Sequence, residues 1–200
     1  MMSFLSSTQI AAIGFGSCGI KALISDKAVF YNPSQINLGD SVRIDDFCVL
    51  SAGDGGIFLG DHIHIGCHAT LIGNGAIRLG DFSGLSARVS VYSSSDDFSG
   101  KSMTNPTIPN EFRNVKHAAV NVGRHCIIGV GSAILPGSIL EEGAAVGALS
   151  LVSKKCAAFT IYSGVPARKI GQRSRNLLEY ERKFCEISRR DRRANDAEVN

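Results

Sequence analysis

Aliphatic residues recur at every sixth position over long stretches of the chain. Val122, Ile128, Ile134, Leu140, Val146 and Val152 form one such series. Leu38, Ile44 and Leu50 form a second, Leu59, Ile65 and Leu71 a third, and Leu79, Leu85 and Val91 a fourth. Four residues after many of these positions a second, mostly small, side chain returns: Val42, Cys48, Ile63, Ala69, Ser83, Val89, Cys126, Ser132, Ser138, Ala144, Ser150 and Cys156. A period of six does not fit the 3.6-residue turn of a helix. It is even, so it fits strands, whose side chains alternate between faces. Three hexads make one triangular coil of 18 residues, and each short strand stacks on the one a coil below, about 4.8 Å away. The aliphatic residue fills the prism, and the small one fits near its corner. Gly often follows the aliphatic position, at 39, 60, 66, 80, 123, 129 and 147, where a tight corner is expected.

The breaks in the period carry information of their own. Extra residues appear around 52–56, around 73–76 and, at much greater length, between Val91 and Val122. Each follows the third strand of a coil, so all three excursions leave one edge of the prism. An edge where loops collect is a place to look for function. The predicted organisation is an N-terminal cap over 1–23, a β-helix over 24–157 with a protruding loop over 92–121, and a closing segment with a helix over 158–200. The helix is expected over Arg173–Arg193, with Leu177, Tyr180, Phe184 and Ile187 on one face, closing the end of the prism.

Composition sharpens this picture. The chain has 200 residues, 22 Gly, no Trp and 7% aromatics, so its core must be aliphatic. No apolar run is long enough for a membrane span, and the first residues lack a signal-peptide pattern, which points to the cytoplasm. The six Cys are scattered without a CxxC and read as reduced thiols. The net charge of +3 is uneven: residues 167–200 hold ten basic and six acidic residues. The basic excess belongs to the tail, so the body is not expected to bind nucleic acid.

The hexads, the protruding loop and the closing segment 164–170 (GVPARKI) resemble the left-handed parallel β-helix acyltransferases of the hexapeptide-repeat superfamily. The resemblance covers about residues 20–172. The stretches YNPSQINLGDSVRIDDF and SSSDDFSGKSM are most similar to bacterial nucleotide-sugar N-acyltransferases and lipopolysaccharide-type sugar acyltransferases. This implies an all-β, left-handed parallel β-helix that assembles as a homotrimer. It also implies acyl-CoA as co-substrate, a nucleotide-linked amino sugar as acceptor, and no metal.

In O-acetyltransferase relatives a His in the protruding loop is the base. The corresponding stretch here holds none; Asp96 falls near that place, with Asp97 beside it. A carboxylate, with a reference pKa near 4, is a poor base for a hydroxyl. It suffices to orient an amine and to receive its second proton, so the missing His favours N-acylation. Glu142, at a coil corner, is a second catalytic candidate. For CoA, the resemblance implies Ala148 beside the pantetheine arm, and Ser153, Lys154 and Arg168 near the phosphates. His117, at the end of the loop, is a minor base candidate that would suit O-acylation. His62, His64, Cys67 and His68 form a cluster that a zinc carbonic anhydrase of similar fold would use, though the hexad frame turns His62 and His64 outward. A non-catalytic β-helix scaffold is the remaining alternative. Gly14, Gly16 and Gly19 match GxGxxG, but too little chain precedes them for a dinucleotide-binding unit, and they read as a link into the first coil.

Overall fold

A computed structural model describes residues 3–198, with side chains described to residue 188. The chain winds into a three-faced prism of parallel strands with about seven coils. Apart from one two-stranded hairpin in the protruding loop and the last strand, each strand pairs in parallel with a strand one coil away, so the three sheets run along the prism axis.

The first face contains Ser17–Cys18, Ile36–Leu38, Ile57–Leu59, Ile77–Leu79, Val120–Val122 and Ile139–Leu140. The second contains Leu23–Ile24, Arg43–Ile44, His64–Ile65, Gly84–Leu85, Ile127–Ile128, Ala145–Val146 and Thr160–Ser163, and ends in the antiparallel strand Arg168–Gln172. The third contains Val29–Tyr31, Val49–Ala52, Thr70–Gly73, Ser90–Tyr92, Ala133–Ile134 and Leu151–Val152. The β-helix therefore opens at Ser17, earlier than residue 24, because Cys18 already stacks on Leu38.

The inward positions are those the period selects. On the first face Leu38, Leu59, Leu79 and Val122 align strand to strand, and Val122 aligns with Leu140. The second face stacks Ile44, Ile65, Leu85, Ile128 and Val146 in the same way, and the third Leu50, Leu71, Val91, Ile134 and Val152. All fifteen are buried. Burial of each such side chain stabilises by roughly 1.5–3 kcal/mol. The small hexad residues, from Val42 to Cys156, are buried as well.

The corner glycines have a different cause from a left-handed turn. The positive φ at many corners falls two residues later, on Ser41, Phe47, His62, His68, Phe82, Arg88, His125 and Leu149. The glycines after the aliphatic positions are required by stacking: a Cβ on Gly129 would stand 2.5 Å from the Ala148 amide nitrogen, and one on Gly123 2.8 Å from that of Glu142.

At the N-terminal end, helix α1 (Ser7–Ile13) covers the first coil with Ile10 and is closed by a capping box between Ser6 and Gln9. Gly14 is its left-handed C-cap, while Gly16 and Gly19 are pressed against the second coil at Ser34 and Gly39. The GxGxxG pattern is thus a helix stop and a stacking contact. Helix α2 (Leu177–Glu198) begins after Arg173, whose guanidinium is held by the carbonyls of His125 and Gly143 at 2.6 and 3.1 Å. It does not close the prism end. It runs along the edge between the first and second faces, where Phe184 meets His62 and Phe82 edge-on. Among the described residues no helix is long and apolar enough to cross a membrane.

Candidate functional site

The three excursions leave the edge between the third and first faces, as their positions after Ala52, Gly73 and Tyr92 require. The long one begins as a neck, with Ser94–Ser95 antiparallel to Lys116–His117. The Ser94 hydroxyl and the His117 Nδ1 are 2.8 Å apart, and the Asn74 amide donates to the same hydroxyl at 2.7 Å. His117 is thereby tied to the neck.

Asp96 and Asp97 follow the neck directly, and their environments differ. The Asp97 carboxylate accepts the Ser99 amide at 2.9 Å and the Ser102 hydroxyl at 2.8 Å. These bonds from Ser99 and Ser102 hold its carboxyl down to about 2. Asp97 therefore builds the loop. The Asp96 carboxylate accepts no hydrogen bond among the described residues, is half-buried, and forms part of the wall of an open cavity of about 590 Å³. The far side of the loop is held by Arg113, which donates to the Asn105 carbonyl and to the Asn110 side chain.

Ser153, Lys154 and Arg168 converge on one pocket of about 170 Å³ beside Tyr162 and Pro166. Residues 164–168 reach it because the chain doubles back after Thr160–Ser163, and the Ala167 amide donates to the Leu151 carbonyl at 2.8 Å. Lys155, next in sequence, is engaged with Glu141 at 2.6 Å. Ser153 and Lys154 lie on the same edge as the loop, two coils beyond it.

Ala148 and Glu142 lie elsewhere on the prism. Ala148 is exposed at the edge between the second and third faces, under Gly129. Glu142 sits at the edge between the first and second faces and faces Arg124 at 3.9 Å, in a group with Asp81 and Glu181. Within one chain Glu142 does not join Asp96.

The histidines are dispersed as well. His64 bonds Asp45 at 2.8 Å, His68 stacks on Phe47, and His62 stacks on Phe82, which in turn stacks on His125. Among the described residues no three His, Cys, Asp or Glu side chains are grouped to hold a metal ion.

A prism of this kind, with a loop on one edge and a basic pocket below it, is the architecture of the left-handed β-helix acyltransferases. No family model matches the sequence. The chain is 49% identical over 183 residues to the dTDP-4-amino-4,6-dideoxy-D-glucose acyltransferase of Escherichia coli, covering 92% of this chain and 95% of that one. It is 43% identical to the N-acyltransferase AntD of Bacillus cereus, solved with dTDP-4-amino-4,6-dideoxyglucose and coenzyme A, with a TM-score of 0.89 over 94% of this chain and 100% of that one. It is 27% identical to the putative lipopolysaccharide biosynthesis O-acetyl transferase WbbJ of Escherichia coli K12, over 78% of this chain and 89% of that one. The chain belongs to the nucleotide-sugar N-acyltransferases of the hexapeptide-repeat superfamily and is an acyl-CoA-dependent enzyme.

AntD has been crystallised with substitutions at a serine and at an aspartate ten positions later. This chain has Ser86 and Asp96 at that spacing. Ser86 lies at a corner of the prism. It stands directly after inward Leu85, in a column of the second–third edge where Gly66, Gly129 and Gly147 hold the equivalent place.

Proposed function

We propose that the enzyme transfers an acyl group from acyl-CoA to the C4 amine of dTDP-4-amino-4,6-dideoxyglucose, in the cytoplasm, as a step toward a cell-surface glycan. The two relatives above 40% identity are named for, or solved with, this amino sugar. The observation that carries the chemistry is the Asp96 carboxylate, which accepts no hydrogen bond among the described residues and lies on the edge that also carries Ser153 and Lys154.

The amine nitrogen attacks the thioester carbonyl, the N–C bond forms, and the C–S bond breaks. Asp96 orients the amine and accepts its proton, which passes on to the departing CoA thiolate, so the products are an amide and CoA–SH. A backbone or side-chain donor must hold the thioester oxygen while charge builds on it. Lys154 and Arg168 hold the CoA phosphates, Ser153 assists them, and Ala148 leaves room for the pantetheine arm.

We infer a homotrimer with the site between subunits. Ser86 and Ala148 occupy the second–third edge, whereas Asp96, Ser153 and Lys154 occupy the third–first edge. A closed threefold arrangement brings these two kinds of edge together from neighbouring copies. Glu142 joins the site in this reading only if a neighbour's loop reaches its edge. Sedimentation should then give three times the 21.2 kDa chain mass.

Mass spectrometry of reactions with the amino sugar nucleotide and with its 4-hydroxyl analogue tests the acceptor. Amide formation without ester formation is expected. Efficient ester formation returns the assignment to an O-acyltransferase.

A further inference from the structure

We propose that His64, aimed by the buried carboxylate of Asp45, takes the first proton from the acceptor's ammonium group before the amine attacks. This rests on the reading that Ser86 and Asp96 mark the place of the amine. Asp45 is a buried carboxylate that the reaction described above leaves without a task. One of its oxygens accepts the Arg43 Nε–H at 2.7 Å, and the His64 Nε2 lies 2.8 Å from the other. Burial raises its carboxyl, but the bonds from Arg43 and His64 outweigh this and hold it below the usual carboxylate range. An ionised carboxylate only accepts, so the His64 Nε2 carries the hydrogen. In the neutral ring the lone pair is then on Nδ1, which has no partner among the described residues. Asp45 thus fixes the tautomer and leaves a base nitrogen available. The charged groups facing His64 are Asp45 and Arg43 from the coil before; the strand Gly84–Leu85 on its other side presents none.

That strand supplies a second, independent observation. Gly84 pairs with His64 and with Ile127, and its φ lies outside the left-handed region. A Cβ there would meet nothing nearer than the His64 carbonyl at 3.8 Å, whereas one on Gly66 would stand 2.8 Å from the Ala87 amide nitrogen. Neither stacking nor turn geometry asks for glycine at position 84. A strand glycine without such a cause marks a close approach by another group. What it leaves is a notch in the second face, between His64 and Ile127. Ser86 stands two residues after Gly84, so its Cα is about 8 Å from that of His64, one coil and two residues away. One ammonium group, alone or with a bridging water, meets both side chains across such a span.

The proton balance closes. The ammonium gives one proton to Nδ1, and Asp45 stabilises the imidazolium. The freed amine attacks the thioester, its second proton passes by way of Asp96 to the CoA thiolate, and His64 returns its own to water. The products are the amide, CoA–SH and one released proton.

The experiment is the pH profile of kcat/KM for the amino sugar nucleotide, in wild type and in His64→Gln. An amine of the α-amino kind titrates near 8, so about a tenth is neutral at pH 7 and nearly all at pH 9. His64→Gln should therefore lose about tenfold at pH 7 and come within about twofold of wild type at pH 9. A merely structural role lowers both ends alike. Asp45→Asn should show the same pattern; if it fails to fold, His64→Gln, which keeps the Arg43–Asp45 pair, decides alone. Gly84→Val should raise the KM for the acceptor about tenfold with no loss of stability in denaturant unfolding, since its Cβ meets no crowding. A gap equal at pH 7 and pH 9, no gap at all, or an unchanged KM in Gly84→Val overturns the proposal. Ser86→Ala separates the two levels. If it leaves kcat and KM for the acceptor untouched, the placing of the amine itself fails. If it lowers kcat/KM and His64→Gln does not, only the role of His64 fails.

Discussion

The Ser102 hydroxyl donates to Asp97 at 2.8 Å, while Asp96 next to it accepts no such bond among the described residues. Two adjacent aspartates thus have separate tasks. Asp96→Asn should lower kcat by at least a hundredfold, with CoA affinity by calorimetry unchanged. Asp97→Asn should weaken the turn and lower kcat/KM about tenfold, mainly through KM. Equal losses from both, or none from Asp96→Asn, contradict the division.

The same bonds predict a pH dependence. Asp97 is held down to about 2, chiefly by Ser99 and Ser102, against an ordinary value near 4. A depressed carboxyl stabilises above its unfolded value and loses that contribution as pH falls through its folded value. The turn should therefore be intact at pH 5 and give way between about 4 and 2. A carboxyl-carbon NMR titration should find Asp97 near 2. A midpoint at 4 would remove the bonds from the argument.

Stacking, rather than turn geometry, explains the glycine after each aliphatic position, and stability measurements separate the two causes. Gly129→Ala places a Cβ 2.5 Å from the Ala148 backbone nitrogen, so adjacent coils must part. It should cost about 1–3 kcal/mol, in the range of overpacking. Gly137 has φ +82° and its nearest foreign atom at 3.7 Å, so Gly137→Ala meets only left-handed strain of about 1–2 kcal/mol. If Gly129→Ala proves the milder change in denaturant unfolding, stacking is not the cause.

These contrasts mark what the sequence could and could not convey. Inward positions such as Ile65 and Ile128 were legible because one periodicity fixes both their face and their layer. The loop edge was legible because insertions interrupt that periodicity at one phase. The cause of the glycines was not, since a one-dimensional repeat cannot tell a bend from a contact with the next coil. The phase of the repeat puts Glu142 at a coil corner but not its neighbours there, since Arg124 comes from the adjacent coil and Glu181 from helix α2. The division between Asp96 and Asp97 depends on Ser99 and Ser102, whose side-chain directions no spacing rule supplies.

Thiol chemistry reads the core directly. Burial pushes Cys48, Cys126 and Cys156 each up to about 11. At pH 8 very little of each is thiolate, and the packed prism shields what there is. Cys18 is exposed, and Cys67 and Cys185 are half-buried. A maleimide or aromatic disulfide reagent should modify these three first in native protein, and the other three only after denaturant is added. Early modification of Cys126 would mean that the prism opens on the time scale of labelling.

The phosphate assignment can be resolved to individual charges. Lys154, Lys155 and Arg168 line one pocket, but of these Lys155 is paired with Glu141. Lys154→Ala and Arg168→Ala should each raise the KM for acyl-CoA about tenfold with little change in kcat, since a charge-assisted hydrogen bond contributes on the order of 1.5–3 kcal/mol when well placed. Lys155→Ala should change KM by less than about twofold, because an exposed ion pair contributes little. Dephospho-CoA thioesters identify the partner: if Arg168 meets the 3′-phosphate, Arg168→Ala no longer distinguishes the two donors, while Lys154→Ala still does. Raising salt should narrow the differences, as expected for contacts open to solvent. Variants with unchanged KM at low salt would move the CoA phosphates away from this pocket.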